Sequence, residues 1–277
     1  MVADRLLKHD WEKDHVYLIT YPRCRTIPNI SPWSLKLETW LRVAGLKYTG
    51  ISNELKKFSS KGQVPFIEYN GRSIGDSNII IETLAKERNL SQVEPSKPRD
   101  VALTRAITAL TEDHLLWTIF SLRSRDFSWA ATDDGWGRYL GTGLKRTITV
   151  MMLKKKMKKI VIDRCKANGM GRHLDSEIEH FAQEDLKALS VLLEDKSYFL
   201  GGDSPTTLDC TVFGHLAGFL YIPTPNNNAL TNYIKNTTPN LAAFVERMKE
   251  RYWPDWEETC QSMDMNVHHR TLNEYKQ

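Results

Sequence analysis

Strand signals in this chain end near residue 75, and beyond residue 99 the apolar repeats run at helical spacing. One sheet drawing on the whole length is therefore excluded, and the chain must divide into a mixed part and a helical part. Residues 15–21, HVYLITY, form a short β-branched and aromatic run closed by Pro22. After the loop PRCRTIPNI, Ser31 and Pro32 open a helical pattern with Trp33, Leu35, Leu37, Trp40, Leu41, Val43 and Ala44 as its apolar positions, and Gly45 ends it. Residues 47–51 suit a second strand. Residues 64–69 and 72–74 suit two more, separated by Asn70 and Gly71, the strongest short hairpin signal a sequence offers. Gly75, Asp76 and Ser77 then start a second helix whose apolar side is Ile79, Ile80, Ile81, Leu84 and Ala85.

The order β-α-β-β-β-α combines a parallel crossover with a terminal hairpin, which is the thioredoxin-type α/β plan. Its expected limits are residues 14–90. The proline- and charge-rich stretch 91–100 reads as a linker. An all-α domain is expected over 97–256, with helices near 99–124, 144–166, 175–193 (capped by Asp175), 207–220 and 239–252. Residues 257–277 read as a polar, loose tail.

Composition narrows the class. With 41% hydrophobic and 26% charged residues among 277, the chain is an ordinary globular sequence. No uncharged apolar run approaches the roughly 18 residues a membrane helix needs. The charged start MVADRLLKHDWEKDH lacks a signal-peptide core, so a cytoplasmic location is expected. Cys24, Cys165, Cys210 and Cys260 are far apart, which fits free thiols in a reducing compartment. A net charge of +4 gives no reason to expect nucleic acid as a partner. His114, His215, His268 and His269 have no metal partners at ligand spacing, so no metal is expected.

Three places carry chemistry. Ser31 with Pro32 is an ideal helix start, serine at the N-cap and proline at the first helical position. Such a start also stabilises an anion through free N–H groups and the helix dipole, and its hydroxyl can lower the pKa of a bound thiol. Serines stand where redox relatives of this plan keep a Cys-x-x-Cys, so disulfide chemistry is excluded and thiol activation is not. Val64 and Pro65 mark a strand edge. A cis bond there would turn the Val64 amide and carbonyl outward, where an extended peptide can pair by strand addition. Asp76 and Ser77 are an ordinary cap, and they also make a second helix start able to take a carboxylate. Two helix starts beside one proline edge suit a short anionic peptide carrying a thiol, and glutathione is that ligand.

These residues resemble a known family. SPWSLKLETWLRVAGLKYTG followed by KGQVPFIEYNGRSIGDSNIIIETL is similar to the N-terminal domain of serine-type glutathione transferases. Residues 30–42, GQVPFIEYNG, TLDCTVFGHLA (207–217) and RYWPDW (251–256) resemble the failed axon connections family, a branch related to metaxins. The resemblance covers roughly residues 14–256 and implies the glutathione transferase architecture and a role in axonal development. It assigns catalysis to Ser31 and glutathione binding to Val64, Pro65, Asp76 and Ser77. Lys61 is its candidate for the glycine carboxylate. Three departures stand out: the loop before Ser31 is longer than in ordinary transferases, Asp76 replaces the commoner Glu, and no residue falls on the family's motif for the glycine-carboxylate ligand. The segment 200–209 reads as a turn and a capping box, with Thr206 as cap and Asp209 reaching back to it.

Two functions follow. The first is an enzyme conjugating glutathione to an apolar electrophile held between the domains. The second is a non-catalytic binding module. In that case Lys154, Lys155, Lys156, Lys158 and Lys159, interleaved with Met151, Met152, Leu153, Met157 and Ile160, meet a membrane or protein partner. The plainer reading of that run is a bundle helix with a solvated basic face. Oligomeric state, a homodimer included, is left open.

Overall fold

The computed structural model describes residues 6–124, 126, 128–223 and 228–269, with the side chains of 145, 146, 153, 154, 156, 157 and 267–269 outside that description. Strand β1 (Val16–Thr20) is buried at every residue, as a strand covered on both faces must be. Helix α1 (Pro32–Val43) carries the chain across to β2 (Tyr48–Ser52), which pairs parallel to β1. Strand β3 (Phe66–Tyr69) returns antiparallel to β1 and pairs through a tight hairpin with β4 (Arg72–Gly75). Asn70 and Gly71, at φ of 48° and 75°, are the turn residues, both in the left-handed region a two-residue hairpin requires. Helix α2 (Ser77–Glu87) completes the α/β unit.

The tail departs from expectation. Its first residues belong to a helix, and Val267–His269 form β5, antiparallel to β2 at the sheet's outer edge. The sheet order is β4-β3-β1-β2-β5. Residues 270–277 lie outside the described part.

The rest of the chain is helical. Helices α3 (Pro98–Ala109) and α4 (Leu116–Arg123) are joined without a turn by a π-helical stretch, Leu110–Leu115. Then come α5 (Gly143–Asn168), α6 (Asp175–Leu193), α7 (Thr207–Tyr221), α8 (Asn228–Asn236), α9 (Pro239–Tyr252) and α10 (Trp256–Ser262). Helix α8 was not anticipated from the sequence. Leu174, not Asp175, caps α6, and Glu177 accepts its N–H at 2.8 Å. Asp209 holds the start of α7 as expected, accepting from the Thr206 N–H and hydroxyl at 2.8 and 2.9 Å and from the Phe199 N–H at 2.8 Å. No helix among the described residues is long and apolar enough to cross a membrane.

The two parts meet along α1 and α7. The indole N–H of Trp40 donates to Thr207 Oγ1 at 2.9 Å, whereas Gly214 lies against the first turns of α1. The helices therefore run antiparallel. A Cβ on Gly214 would stand 2.6 Å from the Lys36 nitrogen and 2.7 Å from the Pro32 carbonyl oxygen, both backbone atoms that cannot swing aside. Gly214→Ala is expected to destabilise the protein at or above the upper end of the roughly 1–3 kcal/mol typical of overpacking. A urea titration measures this, and wild-type stability in the variant would show that the helices can part without cost.

Candidate functional site

The sheet register determines what comes together. Ile19 near the end of β1, Phe66 at the start of β3 and Gly75 at the end of β4 lie side by side in one row. The segments leading away from that row, toward α1, from Pro65 and into α2, therefore share one end of the sheet. Asn29 ties the α1 approach to it. Its side-chain amide donates to Thr20 Oγ1 at 3.0 Å and to the Tyr21 carbonyl at 3.1 Å, and its oxygen accepts the Ser31 N–H at 3.0 Å. In α1 Lys36 Nζ reaches Asn78 Oδ1, in the first turn of α2, at 2.5 Å, so the two helix starts are neighbours.

Ser31 is the N-cap of α1, in extended conformation, with Oγ accepting the Ser34 N–H at 3.3 Å. That bond uses a lone pair and leaves the hydroxyl hydrogen free to donate elsewhere. The Val64–Pro65 bond is cis. The Val64 N–H and C=O have no hydrogen-bond partner among the described residues. Asp76 caps α2, its carboxylate accepting from the Asn78 and Ile79 N–H groups at 3.0 and 3.2 Å. It does so at φ 88°, a conformation rare for any residue but glycine. Ser77, the first residue of α2, is buried. Lys61 is exposed on the turn before Val64, and the described residues give it no hydrogen bond or ion pair. The longer loop before Ser31 is folded over and covered. Trp136 donates to the Pro22 carbonyl at 3.2 Å, and the Arg25 N–H donates to Asp134 O at 2.9 Å.

Directly behind these helix starts lies a buried polar cluster that the sequence did not announce. Lys36 Nζ pairs with Glu112 Oε1 at 2.9 Å, and the Asn78 amide donates to Glu112 Oε2 at 3.1 Å. Glu112 comes from the π-helical stretch. His215 of α7 places Nε2 4.0 Å from Glu112 Oε1. Its Nδ1 lies 2.7 Å from the Thr211 carbonyl, which makes Nδ1 the protonated nitrogen and leaves Nε2 bare and without a hydrogen bond. Burial pulls the imidazole pKa down to about 4, so it is neutral at physiological pH. For Glu112 burial acts upward and is the largest single influence, but the Lys36 ammonium, the neighbouring His215 and the hydrogen bonds from Lys36 and Asn78 together hold the carboxyl below its usual range. Nothing in the spacing of Lys36 or Glu112 distinguishes them from surface charges.

The cysteines are buried, and burial raises the thiols of Cys24 and Cys210 and pushes Cys260 up to about 12. None is poised as a nucleophile. No cluster of metal-ligating side chains occurs among the described residues. Of the tryptophans, Trp40, Trp129 and Trp136 are core. Trp33 and Trp117 are partly buried and meet Phe120 edge to face at 6.0 and 5.9 Å.

Residues 32–127 match the family described as glutathione S-transferase N-terminal domain, and residues 182–248 match glutathione S-transferase, C-terminal domain. A glutathione transferase from Phanerochaete chrysosporium, solved with oxidized glutathione, superposes with a TM-score of 0.58 at 12% identity, covering 91% of this chain and 98% of that one. In fold the chain is a glutathione transferase-type protein. Failed axon connections from Drosophila melanogaster is 38% identical over 94% of this chain, which spans 63% of that relative's length. An isoprene-epoxide–glutathione S-transferase from a Rhodococcus strain is 28% identical over 82% of this chain and 94% of its own. Metaxin-2 of Homo sapiens is 25% identical over 80% of this chain and 82% of its own. The chain is thus similar to failed axon connections over nearly its whole length and more distantly to metaxins, on a glutathione transferase-type fold.

The cluster behind the helix starts makes stability depend on pH. Unfolded His215 takes up a proton as pH falls through about 6.5, whereas folded His215 resists until about 4. In that window the unfolded state binds more protons, so stability falls with falling pH, by on the order of 3 kcal/mol. The contribution of Glu112, with its lowered pKa, is lost only further down, as pH falls below the usual carboxyl range. Denaturant titrations between pH 7.5 and 4 on the wild type and His215→Gln separate the two. The variant is expected to lose the upper part of the slope, and an unchanged slope would rule out a neutral buried His215.

Proposed function

We propose that the chain binds glutathione at the end of the sheet where Ser31, Val64 and Ser77 meet, and conjugates its thiol to an apolar electrophile. The observation that carries this reading is the row Ile19, Phe66, Gly75, from which two helix starts and an unpaired stretch of backbone leave on the same side. Glutathione matches each element. Its cysteinyl backbone would pair with the free Val64 amide and carbonyl by strand addition. Its γ-glutamyl carboxylate would sit on the N–H and hydroxyl of Ser77 at the start of α2, the Asn78 and Ile79 N–H groups being taken by Asp76, with the amino group toward Asp76. The charge of Asp76 excludes it from holding the carboxylate itself. Lys61 is free to meet the glycine carboxylate. The Ser31 hydroxyl would donate to the thiolate, which the α1 dipole also favours. The partly buried Trp33, Trp117 and Phe120 offer an apolar wall for the electrophile. The known relatives that conjugate or bind glutathione, and the Drosophila relative named for failed axon connections, extend the reading to a cytoplasmic enzyme with a part in axonal development.

A second reading, a contact surface used with or without catalysis, is favoured by α5. Leu144, Met151 and Met152 are 78%, 65% and 68% exposed, and with Ile148 they fall on one face of the helix. Lys155 and Lys159, both exposed, continue the same face two turns on. No Asp or Glu occurs between Gly135 and Ile162. A solvated bundle helix does not need four large apolar side chains outward. An apolar patch followed by lysines suits the surface of an anionic bilayer. The side chains of Lys154 and Lys156 lie outside the described residues.

Calorimetry with reduced glutathione tests the first reading. Binding is expected in the wild type and weakened in Ser77→Ala. Ser31→Ala is expected to keep binding but lower kcat/KM toward a model electrophile by about ten- to a hundredfold, the value of one hydrogen bond to a charged group. Absence of glutathione binding in the wild type would end this reading. Flotation with phosphatidylcholine vesicles, with and without phosphatidylserine, tests the second. Binding is expected only with phosphatidylserine, is expected to weaken with salt, and is expected to fall in the double variant Met151→Ser, Met152→Ser. Equal recovery with both lipids, or none with either, would end it.

A further inference from the structure

Arg123, the last residue of α4, is a cation to which no described residue supplies a counter-charge. It is half-buried, its Nη2 donates to the Gly218 carbonyl at 2.5 Å, and its Nε has no hydrogen-bond partner. Among the described residues no carboxylate faces it. The other buried cations of the molecule are treated differently. Arg23 pairs with Glu38, Lys36 with Glu112 and Arg42 with Asp255. One neutral carbonyl is a poor substitute, because withdrawing a guanidinium from water is costly unless an opposite charge compensates. Burial alone draws its pKa down to about 9, which still leaves it charged at neutral pH.

Its position is determined by helix register. Along α7, Thr207 lies against Trp40 near the far end of α1, and Gly214 lies against Pro32 and Lys36. Gly218 is one turn further, so it and the guanidinium stand beyond the first residue of α1, on the side where Ser31 begins it. Phe120, one turn before Arg123 on α4, meets Trp33 at 6.0 Å and Trp117 at 5.9 Å. An aromatic wall and a single uncompensated guanidinium thus adjoin each other beside the helix start that carries Ser31.

We propose that Arg123 is a specificity-determining residue that selects an electrophile carrying a carboxylate on an aromatic or otherwise apolar body. This rests on the reading of that wall as the electrophile's pocket. The apolar body would lie against Trp33 and Phe120, and the carboxylate would take the Nη donors of Arg123 left over from Gly218, Nε being shut in. In an α,β-unsaturated acid the glutathione thiolate adds to the β-carbon, forming the S–C bond. The π pair shifts to the α-carbon and carboxylate, and a proton from water completes the adduct. No oxidant or further reactant is needed. Such a substrate would supply the counter-charge that no described residue gives.

The test uses cinnamate and its neutral isostere cinnamamide, titrated calorimetrically into the full chain without glutathione. In the wild type cinnamate is expected to bind about tenfold or more tighter than the amide, the range of one charge-assisted hydrogen bond. In Arg123→Gln the two affinities are expected to converge, and in Arg123→Lys part of the preference is expected to remain. A purely structural clamp on Gly218 would weaken both ligands alike or neither. Equal affinity in the wild type, or binding of neither, overturns the proposal without any variant, so a poorly folding variant does not shield it. Glutathione is titrated separately into wild type and Arg123→Gln and is expected to bind both equally. A failure of the glutathione site is thereby read in one isotherm and a failure of Arg123 in another.

Discussion

Helix α1 is buried on nearly every side, between the sheet and α7, yet it carries Lys36, Glu38 and Arg42. Ionised groups survive such burial only when paired and hydrogen-bonded. Each of these is. Glu38 accepts two 2.6 Å bonds from Arg23 and one at 3.0 Å from the Tyr48 hydroxyl. Arg42 forks onto Asp255 at 2.5 and 2.9 Å, donates to the Tyr48 hydroxyl at 2.8 Å and lies 3.8 Å over the Trp253 ring. Lys36 takes Glu112 and Asn78. Through these pairs one helix is locked to the loop after β1, to β2, to the start of α2, to the π-helical stretch and to the segment before α10. Loss of any single partner leaves a charge stranded in the interior, so the elements hold their places together.

That locking is what makes the candidate site a site. Two helix N-termini can serve one ligand only if their relative position is held to a fraction of an ångström, and neither backbone is bonded to the other. The Lys36 contact to Asn78, backed by Glu112, supplies the missing link. Glu112 sits in the π-helical stretch, where the extra residue per turn shifts the side chains that follow relative to an α-helix. The distortion in α3–α4 and the rigidity of the α1–α2 junction are thus two aspects of one contact.

The parts of the fold legible in the sequence were those written in local chemistry. The Asn70–Gly71 turn, the serine–proline start at Ser31 and the box at Thr206 and Asp209 each specify backbone geometry within a few residues, and each stands where it was expected. What could not be read depends on partners far away in the chain. Lys36 and Glu112 are separated by 76 residues, and Arg42 and Asp255 by 213. The alternation of charge along α1 looks the same whether those charges face water or one another. The tail misled for the same reason: Val267, His268 and His269 form β5 by pairing with the open edge of β2, a partner far away in the chain that their own short run does not announce. At Asp76 the cap was legible but its positive φ was not, since such a backbone at a non-glycine residue is imposed by the surrounding turn.

The distribution of counter-charges separates structure from function in this molecule. Around the C-terminal half of α1 every cation has its anion, and that region is closed. Around the start of the same helix the compensation stops. Among the described residues the Ser31 hydroxyl keeps a spare donor, Val64 offers both backbone groups, Lys61 is free, and Arg123 has only a carbonyl. With the exception of the Val64 carbonyl, these are donors. Where Asp76 supplies negative charge, its own helix consumes it as a cap. A surface that gathers donors at one place and leaves them unpaired is complementary to a ligand with several acceptors and net negative charge. A tripeptide with two carboxylates and a thiolate has that character, and an acidic electrophile beside it would draw on the same excess.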